Sequence, residues 1–156
     1  MERHSRSPEQ TVAVASDLAR TLQPGDVVLL SGDLGAGKTA FVRGLALGLG
    51  ASPDDVTSPT FTLLHEYRGG RLTLHHADLY RLETAEVEDL GLDELASGGG
   101  VLAVEWPDRL ARPWPEAVRV HLHHTGEVTR RITISHGRTR CIRTHCSSSR
   151  AGCSCR

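Results

Sequence analysis

The chain has 156 residues, 38% of them hydrophobic, and its formal net charge at pH 7 is −1. This length suits one domain with one sizeable core, and the composition is that of an ordinary globular protein. No apolar run approaches the length of a membrane span, and the first residues lack the apolar core of a signal peptide, so we expect a cytoplasmic protein. A near-neutral charge does not indicate a nucleic-acid-binding face.

The first expected element is a helix that begins at Ser7. Ser7 suits an N-cap and Pro8 suits the first helical position. Apolar residues then recur at helical spacing up to Pro24, which predicts one buried face that packs on a sheet. The residues of this face are Val12, Ala15, Leu18, Ala19 and Leu22.

A glycine-rich loop follows, between a predicted strand at about residues 26–31 and a predicted helix that Gly50 ends. Residues 32–39 read G-D-L-G-A-G-K-T, the P-loop pattern in its strand, loop and helix context. In such a loop, backbone N–H groups and the helix N-terminus surround a phosphate, while the lysine reaches the outer phosphates and the last hydroxyl ligates Mg²⁺. The sequence therefore predicts a nucleotide site with Mg²⁺. Its expected binding residues are Gly35, Ala36, Gly37, Lys38, Thr39 and Ala40.

Lys38 is the only lysine of the chain. A planar guanidinium fits poorly where a compact ammonium must enter a tight phosphate loop, so a lysine at this one position favours the P-loop interpretation. The same fact excludes a GTPase that recognises its base with an N-K-x-D motif, since no second lysine exists to form it.

A segment rich in hydroxyl groups, with Thr60 near its end, follows the P-loop helix. In many P-loop enzymes a segment at this place senses the γ-phosphate through a threonine on Mg²⁺. An ordinary surface turn is the alternative, and the sequence does not decide between them.

Two strands at about residues 61–67 and 71–77 flank a short turn that contains Gly69 and Gly70, which predicts a hairpin. An antiparallel pair departs from simple strand–helix alternation and favours a mixed sheet. We therefore expect a single α/β domain of the P-loop NTPase type, with a mixed parallel and antiparallel sheet flanked by helices.

The rest of the domain is predicted from three patterns. Residues 83–94 are acidic and indicate the solvated face of a helix that Gly91 breaks. Residues 101–106 form an apolar strand that Pro107 ends, and two strands with period-two alternation follow around Thr125 and Gly126. The bounds expected for these last strands are 117–124 and 128–135.

Two acids end predicted strands and are candidates for the catalytic carboxylates. Glu105 ends the more apolar strand, as a Walker B acid does, and Asp78 ends the hairpin strand. P-loop chemistry needs a carboxylate at such a place to hold hydrated Mg²⁺ and to orient a water molecule. Each acid has the alternative of capping the turn that follows it. Trp106, beside Glu105, either contacts the nucleotide base or fills core space.

Residues 1–136 are the predicted domain, and residues 137–156 are a predicted disordered tail rich in Arg, Ser and Cys. The tail holds five arginines and no acids, together with all four cysteines. A zinc knuckle is the alternative, but the spacing C-x4-C-x6-C-x-C matches no familiar zinc pattern. The low content of apolar residues favours disorder.

Taken together, these motifs resemble the bacterial TsaE (YjeE) family of ATPases, which serve the threonylcarbamoyl modification of adenosine in tRNA. The resemblance covers about residues 8–135 in order and spacing. It rests on five sequences: GDLGAGKT at 32–39, TSPTFT at 57–62, ADLYRL at 77–82, LGL at 90–92 and VEW at 104–106.

The resemblance implies ATP or ADP as the ligand, with Mg²⁺ near Thr39 and Glu105, and with Asp78 and Thr60 near the γ-phosphate. By position it also implies that Thr11 lies near the nucleotide. It further implies work in a complex with the TsaD and TsaB proteins, which ATP hydrolysis resets, so that tRNA is met only through that complex.

Two other functions stay open at this point. A small P-loop kinase would share the loop and the size, although the segment after Asp78 is acidic where such kinases place an arginine-rich lid. A nucleotide-gated binding module without significant turnover is the second alternative, and only a rate measurement separates it from a slow ATPase.

Overall fold

The computed structural model describes residues 1–56 and 63–137. These residues form one seven-stranded sheet with helices on both faces. The strands are β1 (Glu2–Ser5), β2 (Val27–Gly32), β3 (Leu64–Tyr67), β4 (Leu74–Asp78), β5 (Val101–Glu105), β6 (Val118–His124) and β7 (Arg130–Ser135). The α-helices are α1 (Pro8–Ala19), α2 (Lys38–Leu49), α3 (Thr84–Glu88) and α4 (Leu92–Ser97).

The sheet is mixed, as the sequence predicts, and its strand order is β1-β7-β6-β2-β5-β4-β3. Four neighbouring strands, β6, β2, β5 and β4, are parallel to one another, and the outer strands β7, β1 and β3 pair antiparallel. β2 and β5 lie in the middle and are almost wholly apolar, because a strand covered on both faces buries every side chain. The P-loop and Glu105 thus end adjacent central strands.

The two faces of the sheet have separate cores. On one face, α1 and α2 cover a cluster that includes Phe41, Leu45 and Leu30. On the other, α3 and α4 cover a smaller cluster that includes Val104 and Leu79. In the described part of the chain, no helix combines the length and apolar character needed to cross a membrane.

The apolar face of α1 joins the core on one face of the sheet, and the helix also packs closely on α2. The close helix–helix contact lies at two glycines of α2. A Cβ at Gly44 would collide with the Val12 carbonyl oxygen, and one at Gly48 would collide with that of Ser16. Glycine lets the two backbones approach where any side chain would hold them apart.

Several local predictions are confirmed. The Ser7 hydroxyl accepts from the Gln10 N–H and caps α1, with Pro8 in its first turn. Gly50 ends α2 in the left-handed conformation at φ 90°. Gly91, at φ 64°, separates α3 from α4 and so breaks the acidic segment into two short helices.

Two strand predictions are wrong in their first residue, and one strand has no counterpart in the sequence prediction. The sequence does not predict β1, because its four residues are polar and only its pairing with β7 makes it a strand. β4 begins at Leu74 and not at Arg71, since Arg71 N–H donates to the Leu49 carbonyl and diverts the chain. β7 begins at Arg130 and not at Val128, because a Thr125 N–H bond to the Thr129 carbonyl closes the preceding turn.

Two further predictions concern segments outside the described residues. They are the role of Thr60 in the hydroxyl-rich segment and the disorder of residues 138–156, with the alternative of zinc binding there. Both stay predictions.

Candidate nucleotide-binding site

The P-loop joins β2 to α2 and has the backbone that its glycines predict. Gly32 has φ 138°, and a Cβ there would collide with the Leu122 carbonyl of β6. Gly37 has φ 100° and is the N-cap of α2, so the helix begins at Lys38. The unpaired N–H groups of this helix start are the donors that bind phosphate in such loops. Gly35, at φ 77°, and the buried Ala36 lie in the turn before them.

Lys38 is folded across its own loop. Its side chain is largely buried, with 5% exposed, and Nζ donates to the carbonyls of Gly32 at 2.8 Å and Asp33 at 2.7 Å. Burial lowers the pKa of the Lys38 ammonium, and nearby carboxylates, Glu105 foremost, oppose that shift. The only lysine of the chain is therefore held against the loop by the carbonyls of Gly32 and Asp33.

Trp106 lies against this lysine. The Nζ atom of Lys38 is 4.2 Å from the centroid of the Trp106 ring, a cation–π contact. The centroid of the Tyr80 ring is 4.8 Å from that of the Trp106 ring. Trp106 has φ 59° and is the only residue other than glycine at positive φ in the described ranges. A bulky residue in this region is strained, and such strain is often found at functional sites. The ring thus lies at the lysine end of the loop.

Glu105 meets the first turn of α2. It is 3% exposed, and its Oε1 atom accepts from the Thr39 hydroxyl at 3.4 Å. The same Oε1 lies 2.9 Å from Nε2 of His76, a fully buried side chain on β4. The structure therefore brings together Thr39 and Glu105, the two residues that the sequence predicts as metal ligands.

Asp78 is the neighbour of Glu105 in the register of the parallel strands β4 and β5. It is half-buried, and its Oδ1 accepts from the Tyr80 N–H at 3.0 Å. Burial raises the pKa of Asp78, the Tyr80 N–H opposes the shift, and the negative charge of Glu105 adds to it. A carboxyl group whose ionised form is disfavoured in this way is suited to accept a proton.

The oxygen atoms at this edge of the sheet are suitable ligands for Mg²⁺. A hydroxyl oxygen and a carboxylate oxygen converge at the helix N-terminus, and Mg²⁺ prefers oxygen ligands, few of them from protein and the rest from phosphate and water. Within residues 1–56 and 63–137, no group of three or more His, Cys, Asp or Glu side chains could hold a metal ion by itself. A site completed by nucleotide phosphates agrees with both observations.

Thr11 is buried on α1, and in the described part of the chain the hydrogen bonds of its hydroxyl are to residues near the N-terminus, not to the P-loop. Its hydroxyl lies 2.8 Å from the Ser5 hydroxyl and donates to the Ser7 carbonyl at 3.3 Å, so it joins β1 to the start of α1. A contact of Thr11 with nucleotide stays a prediction, as does the binding role of Ala40.

Sequence reasoning missed two residues of the site. Arg130 of β7 donates from Nε to the Ala36 carbonyl at 2.9 Å and so braces the loop from a distant strand. His76 lies two residues before Asp78, and strand alternation alone places the two on one side of β4. No local pattern marks Arg130, because its partner lies 94 residues away.

Comparison with known proteins gives the family. The sequence model of the family described as threonylcarbamoyl adenosine biosynthesis protein TsaE matches residues 5–132. The tRNA threonylcarbamoyladenosine biosynthesis protein TsaE of Bacillus subtilis is 47% identical over 130 residues, which are 83% of this chain and 81% of that protein. The TsaE protein of Treponema pallidum is 47% identical over 133 residues, 84% of this chain and 97% of that protein.

A solved structure agrees. The crystal structure of YdiB from Bacillus subtilis superposes with a TM-score of 0.71 at 38% identity, and the match covers 88% of this chain and 85% of that one. The fold, the P-loop and the two strand-end acids are thus found in a chain that belongs to the TsaE family of threonylcarbamoyl adenosine biosynthesis proteins.

Proposed function

We propose that this protein is a Mg²⁺-dependent ATPase that serves the threonylcarbamoyl modification of adenosine 37 in tRNA. The observation that carries the proposal is the contact of the Thr39 hydroxyl with Glu105 Oε1 at 3.4 Å, beside the buried Lys38. A P-loop whose hydroxyl meets a strand-end carboxylate has the parts needed to bind a triphosphate with its metal. The pathway is supported by the names of relatives that match over four fifths of the chain.

The residues divide the work by position. The N–H groups at the start of α2 and the Lys38 ammonium bind the phosphates. Thr39 and Glu105 would hold Mg²⁺, which would supply positive charge to the phosphate oxygens. Asp78, with its raised pKa, orients the attacking water and receives its proton. Thr60, outside the described residues, is proposed to contact the γ-phosphate.

The partners are proposed to be TsaD and TsaB, with hydrolysis resetting their complex and with tRNA met only through it. Family membership supports this, because the relatives are named for the biosynthesis of the modified nucleoside. The net charge of −1 also offers no strong electrostatic attraction to free tRNA.

Phosphate release from ATP, measured for this protein alone and with TsaD and TsaB, tests the proposal. We expect Mg²⁺-dependent turnover that the two partners increase, and a Lys38→Ala variant that is inactive in both conditions. ADP binding without any turnover would identify a nucleotide-gated binding module, whereas transfer of phosphate to a small molecule would identify a kinase.

A further inference from the structure

His76 is a buried polar side chain that the proposed reaction does not use. It lies on β4 with no exposed surface, and its Nε2 atom is 2.9 Å from Glu105 Oε1. Its other ring nitrogen, Nδ1, is buried and has no hydrogen-bond partner in the described part of the chain. The imidazole therefore makes one strong polar contact, and that contact is with Glu105.

The partner of Nε2 selects the tautomer of the ring. A carboxylate oxygen accepts hydrogen bonds, so we assign the tautomer with hydrogen on Nε2, whose N–H donates to Oε1. With this tautomer Nδ1 is an acceptor that meets no donor among the described residues, and an unpaired buried polar atom destabilises a fold. A phenyl ring would fill similar space without this cost. The placement of an imidazole here is explained by the bond that Nε2 makes.

We infer that His76 is a positioning residue for Glu105. His76 and Thr39 both donate to the same atom, Oε1, so the carboxylate has one orientation, and its second oxygen is left to take up the metal or a water bound to it. Partners of metal-binding carboxylates commonly fix the ligand in this way. The inference rests on the proposed nucleotide and Mg²⁺ site and adds a second residue of β4 to it, beside Asp78.

A merely structural role predicts something different. The His76 ring lies 6.3 Å from the Tyr67 ring, and a side chain that only fills this space should affect melting and leave metal dependence unchanged. A positioning role predicts that the Mg²⁺ requirement of nucleotide binding depends on the donor at Nε2. Binding in the absence of Mg²⁺ should not depend on it.

The test compares His76→Phe, which keeps a ring but no donor, with His76→Gln, whose amide N–H reaches about as far as Nε2. ADP binding is measured by calorimetry over a range of Mg²⁺ concentrations. We expect His76→Phe to raise the Mg²⁺ concentration for half-maximal effect by about tenfold, the low end for a lost partner of a metal ligand, and His76→Gln to restore most of it. A parent-like Mg²⁺ dependence in His76→Phe would overturn the inference.

If His76→Phe does not fold, His76→Asn takes its place, since its amide is too short to reach Oε1 while remaining polar. Equal Mg²⁺ dependence in the Gln and Asn variants would then overturn the inference. The Glu105→Ala variant tests the proposed metal site itself, independently of His76. If Glu105→Ala keeps the Mg²⁺ dependence of the parent, both the metal assignment and the inference are wrong. If Glu105→Ala loses this dependence while His76→Phe keeps it, only the inference is wrong.

The double variant Glu105→Ala with His76→Phe completes the cycle. When His76 acts through Glu105, adding His76→Phe to Glu105→Ala produces no further change in Mg²⁺ dependence. A further tenfold change would show that His76 acts by another route and would overturn the inference.

Discussion

The Thr39 hydroxyl lies 3.4 Å from Glu105 Oε1, although 66 residues separate them in the chain. The contact forms because β2 and β5 pair in parallel with Leu30 opposite Glu105, so the loop after β2 and the acid at the end of β5 emerge at one edge of the sheet. Ligands of open α/β sheets bind at this edge. The helix N-terminus, the lysine and the oxygens that we propose as metal ligands are thereby assembled at one point.

Lys38→Ala should abolish measurable ADP binding or weaken it severely. The variant removes the compact charge at the phosphate end of the loop, and a hydrogen bond to a charged group contributes about 1.5–3 kcal/mol, or roughly 10- to 150-fold in affinity. Calorimetry with ADP and Mg²⁺ measures the effect. Arg20→Ala, which removes an exposed cation after α1, is the control and should bind like the parent. Unchanged affinity in Lys38→Ala would refute the P-loop assignment.

Asp78→Asn should stabilise the protein at neutral pH while it impairs hydrolysis. Burial raises the pKa of Asp78, so the folded state favours the protonated form, and ionisation near pH 7 costs stability that the neutral amide avoids. The gain in melting temperature should shrink as the pH is lowered toward the ordinary carboxyl pKa of 3.8, where the parent is neutral as well. Hydrolysis with the partners should fall by about 10²-fold.

The same pH series on the exposed Asp108→Asn should show no such gain. A lower melting temperature for Asp78→Asn at pH 7 would mean that the carboxylate stabilises the strand end. If that variant also hydrolyses ATP at the rate of the parent, the role of Asp78 is only to cap the turn through the Tyr80 N–H.

Trp106 should report nucleotide binding by its fluorescence. Its ring lies 4.2 Å from the Lys38 ammonium, and phosphates that engage this ammonium alter the charge above the indole. The chain has one other tryptophan, Trp114. Adding ADP with Mg²⁺ should change the emission of the parent and of Trp114→Phe, and leave that of Trp106→Phe constant. A signal that persists in Trp106→Phe would place the nucleotide elsewhere.

Gly44→Ala should destabilise the protein although it lies inside a helix. Alanine is normally favoured over glycine there by about 1 kcal/mol. At Gly44, however, the new Cβ would collide with the Val12 carbonyl of α1, and overpacking costs about 1–3 kcal/mol. Urea denaturation measures the loss. Leu47→Ala, on the exposed side of α2, is the control and should change stability little. A more stable Gly44→Ala would contradict the close helix contact.

Much of the site could be predicted from the sequence because its parts are contiguous. The P-loop needs its glycines, lysine and threonine in one short run, and a strand that ends in an acid is visible as an apolar run followed by Glu105. The mixed sheet followed from the hairpin around Gly69 and Gly70. In each case the signal is local in the chain.

The remainder depends on contacts between distant segments. Two hydrogen bonds of the site join residues that are far apart in the sequence, so no local motif contains both partners. They are the bond from Arg130 to the Ala36 carbonyl and the bond between His76 and Glu105. β1 becomes a strand only through β7, and the close approach of α1 to α2 depends on glycine contacts that a helical period does not reveal. Strand order, which decides these contacts, depends on how distant segments pair and not on the periodicity of any one segment.

We propose that Thr39 and Glu105 bind the metal at one edge of the site, whereas Asp78 positions the reacting water. The most direct measurement is a Mg²⁺ titration of ADP binding by calorimetry in the parent, Glu105→Ala and Asp78→Ala. We expect Glu105→Ala to need more Mg²⁺ than the parent and Asp78→Ala to bind as the parent does. An unchanged Mg²⁺ requirement in Glu105→Ala, or the same increase in both variants, would contradict this division of roles.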